Sequence, residues 1–144
     1  MDLLNWTPPE TVVRRFDDAR VRAADLRSKI ARAVAEALSD TPLDRKEIAR
    51  RASEWLGETI SPAMLNKYAS PSSDDHPLPL AKFLAIVAAT EDPRLLQVFA
   101  EMFGWSVIDD RYLPWVEVGQ LADAKEEFDK AYAAARAKTR RVGK

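Results

Sequence analysis

In the stretch "SPAMLNKY", if Leu65 and Tyr68 face the core, Ser61, Ala63, Asn66 and Lys67 are expected to fall largely on the open side of a helix. An asparagine amide offers a donor and an acceptor side by side, which suits the paired donor and acceptor of adenine. A lysine ammonium suits guanine or a phosphate oxygen. Ser61, with the amides at a helix start, is suited to a phosphate. Between residues 45 and 67 five cations, Arg45, Lys46, Arg50, Arg51 and Lys67, face three carboxylates, Glu47, Glu54 and Glu58. That local excess is small. With a formal net charge of −1 over 144 residues, it makes any nucleic-acid contact a matter of one patch rather than of bulk attraction.

Other reactive combinations are poor. His76 is the single histidine and lies beside Asp74 and Asp75 in a Ser/Asp/Pro loop, a weak ligand set, so no metal is expected. The acid pairs Asp17-Asp18, Asp109-Asp110 and Glu126-Glu127 are sequence neighbours and point in different directions on a helix. The sequence holds no cysteine, no phosphate-cradling glycine loop and no serine-hydrolase elbow, so neither catalytic residues nor a cofactor are expected and the chain reads as no enzyme.

The elements that must position Asn66 and Lys67 are readable from caps and stops. Asp44, followed by Glu47 three residues on, opens a helix whose apolar face is Ile48, Ala49, Ala52, Trp55 and Leu56, and Gly57 is placed to end it. Ser61 caps the next helix, Pro62 takes its first position, and Leu65 with Tyr68 face inward. A DNA-reading helix-turn-helix wants a small residue in its first helix, a glycine turn and apolar anchors in the second. Ser53, Gly57, Ile60, Leu65 and Tyr68 supply them, with Glu58 and Thr59 lengthening the turn by two residues over its tightest form.

Around this pair, Val12, Phe16, Ala19, Ala23, Leu26, Ile30, Ala33 and Ala37 form a heptad stripe. It fits one helix to about Leu38 or two with a break near Asp17-Asp18, either packed on its own domain or forming a self-association seam. Thr7, Pro8, Pro9 and Glu10 read as its start and Pro42 as its end. Beyond the loop "SPSSDDHPLP", a helix runs through Leu80, Phe83, Leu84 and Val87. Another opens at Asp92-Pro93 with Leu95, Leu96, Phe99 and Met102 as its buried face and Gly104 as its stop. Residues 105–118 alternate as a short β-hairpin would, with Pro114 restricting the second arm. The Ala-rich end carries Leu121, Phe128 and Tyr132 on a thin stripe and finishes in Arg136, Lys138, Arg140, Arg141 and Lys144. Of the four tryptophans, Trp6, Trp55, Trp105 and Trp115, core packing is the favoured reading, Trp6 and Trp115 being also suited to anchor an appended element or a partner.

The pattern resembles the λ-repressor-like helix-turn-helix fold. More narrowly, residues 43–108 are similar to phage regulatory proteins of the CII type found in P2-like phages. The matching residues are Met64, Leu65, Asn66 and Lys67, then Leu78 and Leu80, then Ala89, Thr90, Asp92, Arg94, Leu95 and Leu96. The resemblance implies a transcriptional regulator of phage or prophage origin.

The expectation is therefore a mainly α-helical protein in three parts. Residues 1–42 form an N-terminal helical extension, 43–104 a helix-turn-helix core of about five helices, and 105–144 a hairpin-like segment with a C-terminal helix and basic tail. Its expected partners are double-stranded DNA and a second copy in a homodimer, because one short recognition helix makes too few base contacts. Ser61, Ala63, Asn66 and Lys67 are expected to read bases, with Arg45, Lys46, Arg50 and Arg51 on the backbone. The alternative is a helical adaptor that binds a protein through its terminal helices. The opening "MDLLNWTPPE" lacks signal-peptide character and no apolar run approaches the ~20 residues of a membrane span, so a cytoplasmic location is expected.

Overall fold

The computed structural model describes residues 12–71 and 77–142, and the Thr7 helix start, Trp6 and His76 with its aspartates lie outside them. The chain divides into two compact units, residues 1–107 and 108–144. Among the described residues all regular structure is helical.

In the first unit α1 is a single turn, Asp18–Val21, and α2 spans Leu26–Asp40. The heptad stripe is thus interrupted twice. Residues 12–16 are not helical and Asp17 caps α1, while Arg22 is extended and the Asp25 carboxylate accepts the Ser28 N–H at 2.8 Å. Aspartate gains more at a cap than inside a helix, so the break sits where Asp25 stands. Phe16, Val21, Ala33, Val34, Ala37 and Leu38 are buried in the core. Of these, Phe16, Ala33 and Ala37 belong to the stripe.

Helix α3 spans Arg45–Leu56 behind its Asp44 cap, and α4 spans Pro62–Tyr68. Helices α5, Leu80–Thr90, and α6, Arg94–Ala100, complete the unit, with α3 lying along α5 as its most extensive packing. Ile48, Ile60, Leu65, Ile86, Leu95 and Val98 form its centre, and Phe83 meets Phe99 edge to face at 5.4 Å. Trp55 is not in this core: it is 57% exposed. Ile48, Ala49, Ala52 and Leu56 centre the buried arc of α3, and Trp55 falls about 75° away from that centre.

The buried face of α6 also differs from the expected one. Leu95 and Val98 are buried with Phe99 partly so, while Leu96 and Met102 are exposed. The helix tightens to a 3-10 turn at Glu101–Phe103, which rotates Met102 out before Gly104 ends the run at φ 77°. Gln97, polar and 1% exposed, is the residue that periodicity overlooks. Its amide oxygen accepts the Val107 N–H at 2.6 Å and so fixes the chain after the helix stop.

An ion network ties α1, α2 and α6 together. The Arg94 guanidinium pairs with Asp92 at 2.7 Å and Asp40 at 3.0 Å, and stands 4.3 Å over the Phe16 ring. Arg20 reaches Asp40 and Glu36. The Arg20 guanidinium, then that of Arg94, holds the Asp40 carboxyl below the usual carboxylate range.

In the second unit a 3-10 turn, Asp110–Tyr112, leads into α7, Leu113–Val142. The hairpin expected at 105–118 is therefore absent among the described residues. Asp109 accepts the Arg111 N–H at 3.0 Å and starts the turn. Pro114 sits in the first turn of a helix, where its missing N–H costs nothing, instead of limiting a strand.

Candidate nucleic-acid interface

Helices α3 and α4 are joined by residues 57–61, and each end of that connection has a local cause. Gly57 adopts φ 77°, a left-handed conformation that glycine takes without strain, and its N–H closes on the Ser53 carbonyl at 2.8 Å. The Ser53 hydroxyl donates to the Ala49 carbonyl at 2.7 Å and accepts the Ile60 N–H at 2.8 Å, and Ile60 plugs into the core at 3% exposure. Ser53 thus does more than leave room for a crossing helix. Ser53→Ala is expected to lower the stability of this unit by about 1–3 kcal/mol, read from chemical denaturation, because the half-buried Ile60 N–H loses its acceptor.

Helix α4 begins with the Ser61 hydroxyl accepting the Met64 N–H at 3.1 Å, and the Ser61 N–H donating back to the Met64 sulfur. Leu65 is fully buried, Met64 and Tyr68 are half-buried against the core, and Ala63, Asn66 and Lys67 are exposed on the other side. Leu65 and Tyr68 face inward and Ala63, Asn66 and Lys67 outward as the sequence suggests, whereas Ser61 does not share the exposed side. Ser61 is half-buried, its hydroxyl engaged as the helix cap.

The α3 cations fall into two groups. Arg45 bridges elements: it donates to the Leu38 carbonyl at 2.9 Å and to the Asn66 side-chain oxygen at 3.2 Å, so the base of α3 orients an outward residue of α4. Arg50 donates to Glu47 at 2.7 Å and to Glu54 at 2.9 Å, and Arg51 donates to Glu47 at 3.0 Å. These two guanidinium groups are ion-paired on their own helix, whereas Lys46 is exposed. The spacing of Glu47, Arg50, Arg51 and Glu54 is the i, i+3 and i+4 pattern of helical ion pairs, which is the signal for this pairing. The Arg45–Asn66 link joins residues of two elements and has no such signal.

Hydrogen bonds from Arg50 and then Arg51 lower the Glu47 pKa from 4.5 to about 2. A depressed folded pKa adds stability above the unfolded value that is lost as pH falls toward the folded one. Acid unfolding followed by circular dichroism is therefore expected to show wild-type stability falling between pH 4.5 and about 2, with Glu47→Gln falling less over the same window.

These features define a class: a mainly helical protein presenting the polar outer face of a short helix that a glycine turn and a buried leucine hold in place. The family model of phage regulatory protein CII (CP76) matches residues 33–133. The chain belongs to that family of phage regulatory proteins. No curated protein and no solved structure matches it. The match runs from within α2 to within α7. Asp92 and Arg94, two of the residues that carry the resemblance in the sequence, act here as supports of the fold: Asp92 accepts the Arg94 N–H at 3.1 Å to start α6 and pairs with the Arg94 side chain. No helix among the described residues is long and apolar enough to cross a membrane.

Proposed function

We propose that this phage regulatory protein is a sequence-specific DNA-binding transcriptional regulator that acts in the cytoplasm as a homodimer, with α3 and α4 as its helix-turn-helix. The observation that carries the reading is the split of α4: Leu65 is fully buried while Ala63, Asn66 and Lys67 stand exposed on the opposite side. In this reading α4 enters the major groove. Asn66 pairs with a base edge, adenine being its best match, and Lys67 contacts guanine or phosphate. Ala63 is small enough to let the helix approach and can meet a thymine methyl.

Arg45 and Lys46 lie at the start of α3, beside α4, and serve as backbone contacts together with Ser61. Arg45 also holds the Asn66 side chain before DNA arrives, which reduces the ordering cost of the base contact. Arg50 and Arg51 contribute in so far as a phosphate replaces Glu47 as their partner. Their pairing with Glu47 favours the rival reading, a helical adaptor that keeps this fold as scaffold.

Selection of duplexes from a random pool by the intact protein separates the two. The regulator reading expects enrichment of a short motif in two copies, spaced by about 10 base pairs or a multiple of that length, as two symmetry-related helices require. Recovery of an unenriched pool would support the adaptor.

A further inference from the structure

Helix α7 is 30 residues long and none of its residues is buried. Its apolar residues are nevertheless patterned. Val118, Leu121, Lys125, Phe128, Tyr132, Ala135, Thr139 and Val142 follow one another at alternating steps of three and four, the spacing of a coiled-coil seam. On that seam Leu121 is 70%, Phe128 67% and Tyr132 58% exposed, and the last two rings stack at 6.3 Å. At 1.5 Å per residue the helix is about 45 Å long, a long run of apolar surface to leave in water.

Charge along the helix says what covers it. Residues 113–129 carry five carboxylates, Glu117, Asp123, Glu126, Glu127 and Asp129, and one cation, Lys125. Residues 130–142 carry five cations, Lys130, Arg136, Lys138, Arg140 and Arg141, and no carboxylate. Two copies side by side in parallel would set acid against acid and base against base. Side by side in opposite directions, each acidic half meets a basic half, and the two-fold axis closes the contact without further growth.

We infer that α7 is the self-association element of this protein and pairs in antiparallel orientation with α7 of a second copy. Lys125 fits this seam as the single charged position: its alkyl stem packs while its ammonium reaches the edge, and such a residue restricts register and strand number. The inference deepens the homodimer of the proposed function. It is tested without DNA, so a failure of pairing and a failure of DNA binding are read separately.

The full chain is expected to sediment as a dimer, and the double variant Leu121→Glu, Phe128→Glu to have its dimer dissociation constant raised at least about a hundredfold. Orientation is read on otherwise unaltered protein. Because the sequence has no cysteine, Gln120→Cys and Ala137→Cys each accept one spin label. An antiparallel pair places two labels at residue 120 more than about 25 Å apart, and brings labels at 120 and 137 within about 20 Å when the two proteins are mixed. A monomer at every concentration, a dimer indifferent to the double substitution, or short distances between two labels at residue 120 would each overturn the inference. The last would mean a parallel pair, and the second an interface elsewhere in the chain.

Discussion

Asn66→Ala is expected to weaken binding to the selected operator by about tenfold to a hundredfold per half-site, while binding to random duplex changes by less than about threefold. The asymmetry follows from chemistry. An amide read against adenine contributes a bidentate contact only where the right base is present, whereas random sequence offers it no consistent partner. Lys67→Ala is expected to behave differently, lowering affinity on both duplexes and, if its main contact is phosphate, reducing the slope of log affinity against log salt by about 1. Fluorescence anisotropy on both duplexes distinguishes the roles. Because Asn66 and Lys67 are exposed, neither substitution should alter the thermal transition appreciably. Equal losses on operator and random duplex for Asn66→Ala would remove base reading from that residue.

Leu65→Ala is expected to have the largest effect on stability, about 2–5 kcal/mol in chemical denaturation. Leu65 is 0% exposed and anchors a helix of only 7 residues, so truncation removes apolar contacts and leaves a cavity in the element that presents Asn66 and Lys67. DNA binding should fall with it at temperatures where the unit begins to unfold and recover on cooling. Trp55→Ala is the informative companion. The larger side chain is 57% exposed, and its removal should cost under about 1 kcal/mol. A Trp55 effect as large as that of Leu65 would contradict the packing of α3.

The contrast between these residues shows which parts of the structure are legible in the sequence. Local stops and starts are: Asp44, Gly57, Ser61 and Gly104 each act through bonds or backbone angles within a few residues, and each sits where its chemistry predicts. Leu65 is legible because one apolar side of a short helix has to face inward. Trp55 is not, since hydrophobicity says that a residue prefers the core but not that the arc of α3 facing α5 has room for it.

The segment 105–118 shows a second limit. Its β-branched and aromatic residues alternate, but a hairpin needs both arms, and Pro114 serves a helix start better than an edge strand. The bond from Gln97 to Val107 and that from Arg45 to Asn66 span 10 and 21 residues, beyond any local pattern. The outward side of α4 is readable as a set of residue types, and the hold of Glu47 on Arg50 and Arg51 from its i, i+3 and i+4 spacing; that Arg45 orients Asn66 is not.

The most direct measurement of the central claim is a salt titration of duplex DNA binding by fluorescence anisotropy, with the intact protein and the Asn66→Ala, Lys67→Ala double variant side by side. The expected result is binding at low salt that weakens steeply as salt rises, and that is weaker in the variant at every salt concentration. No binding by the intact protein at low salt, or identical curves for the two proteins, would contradict the placement of α4 on DNA.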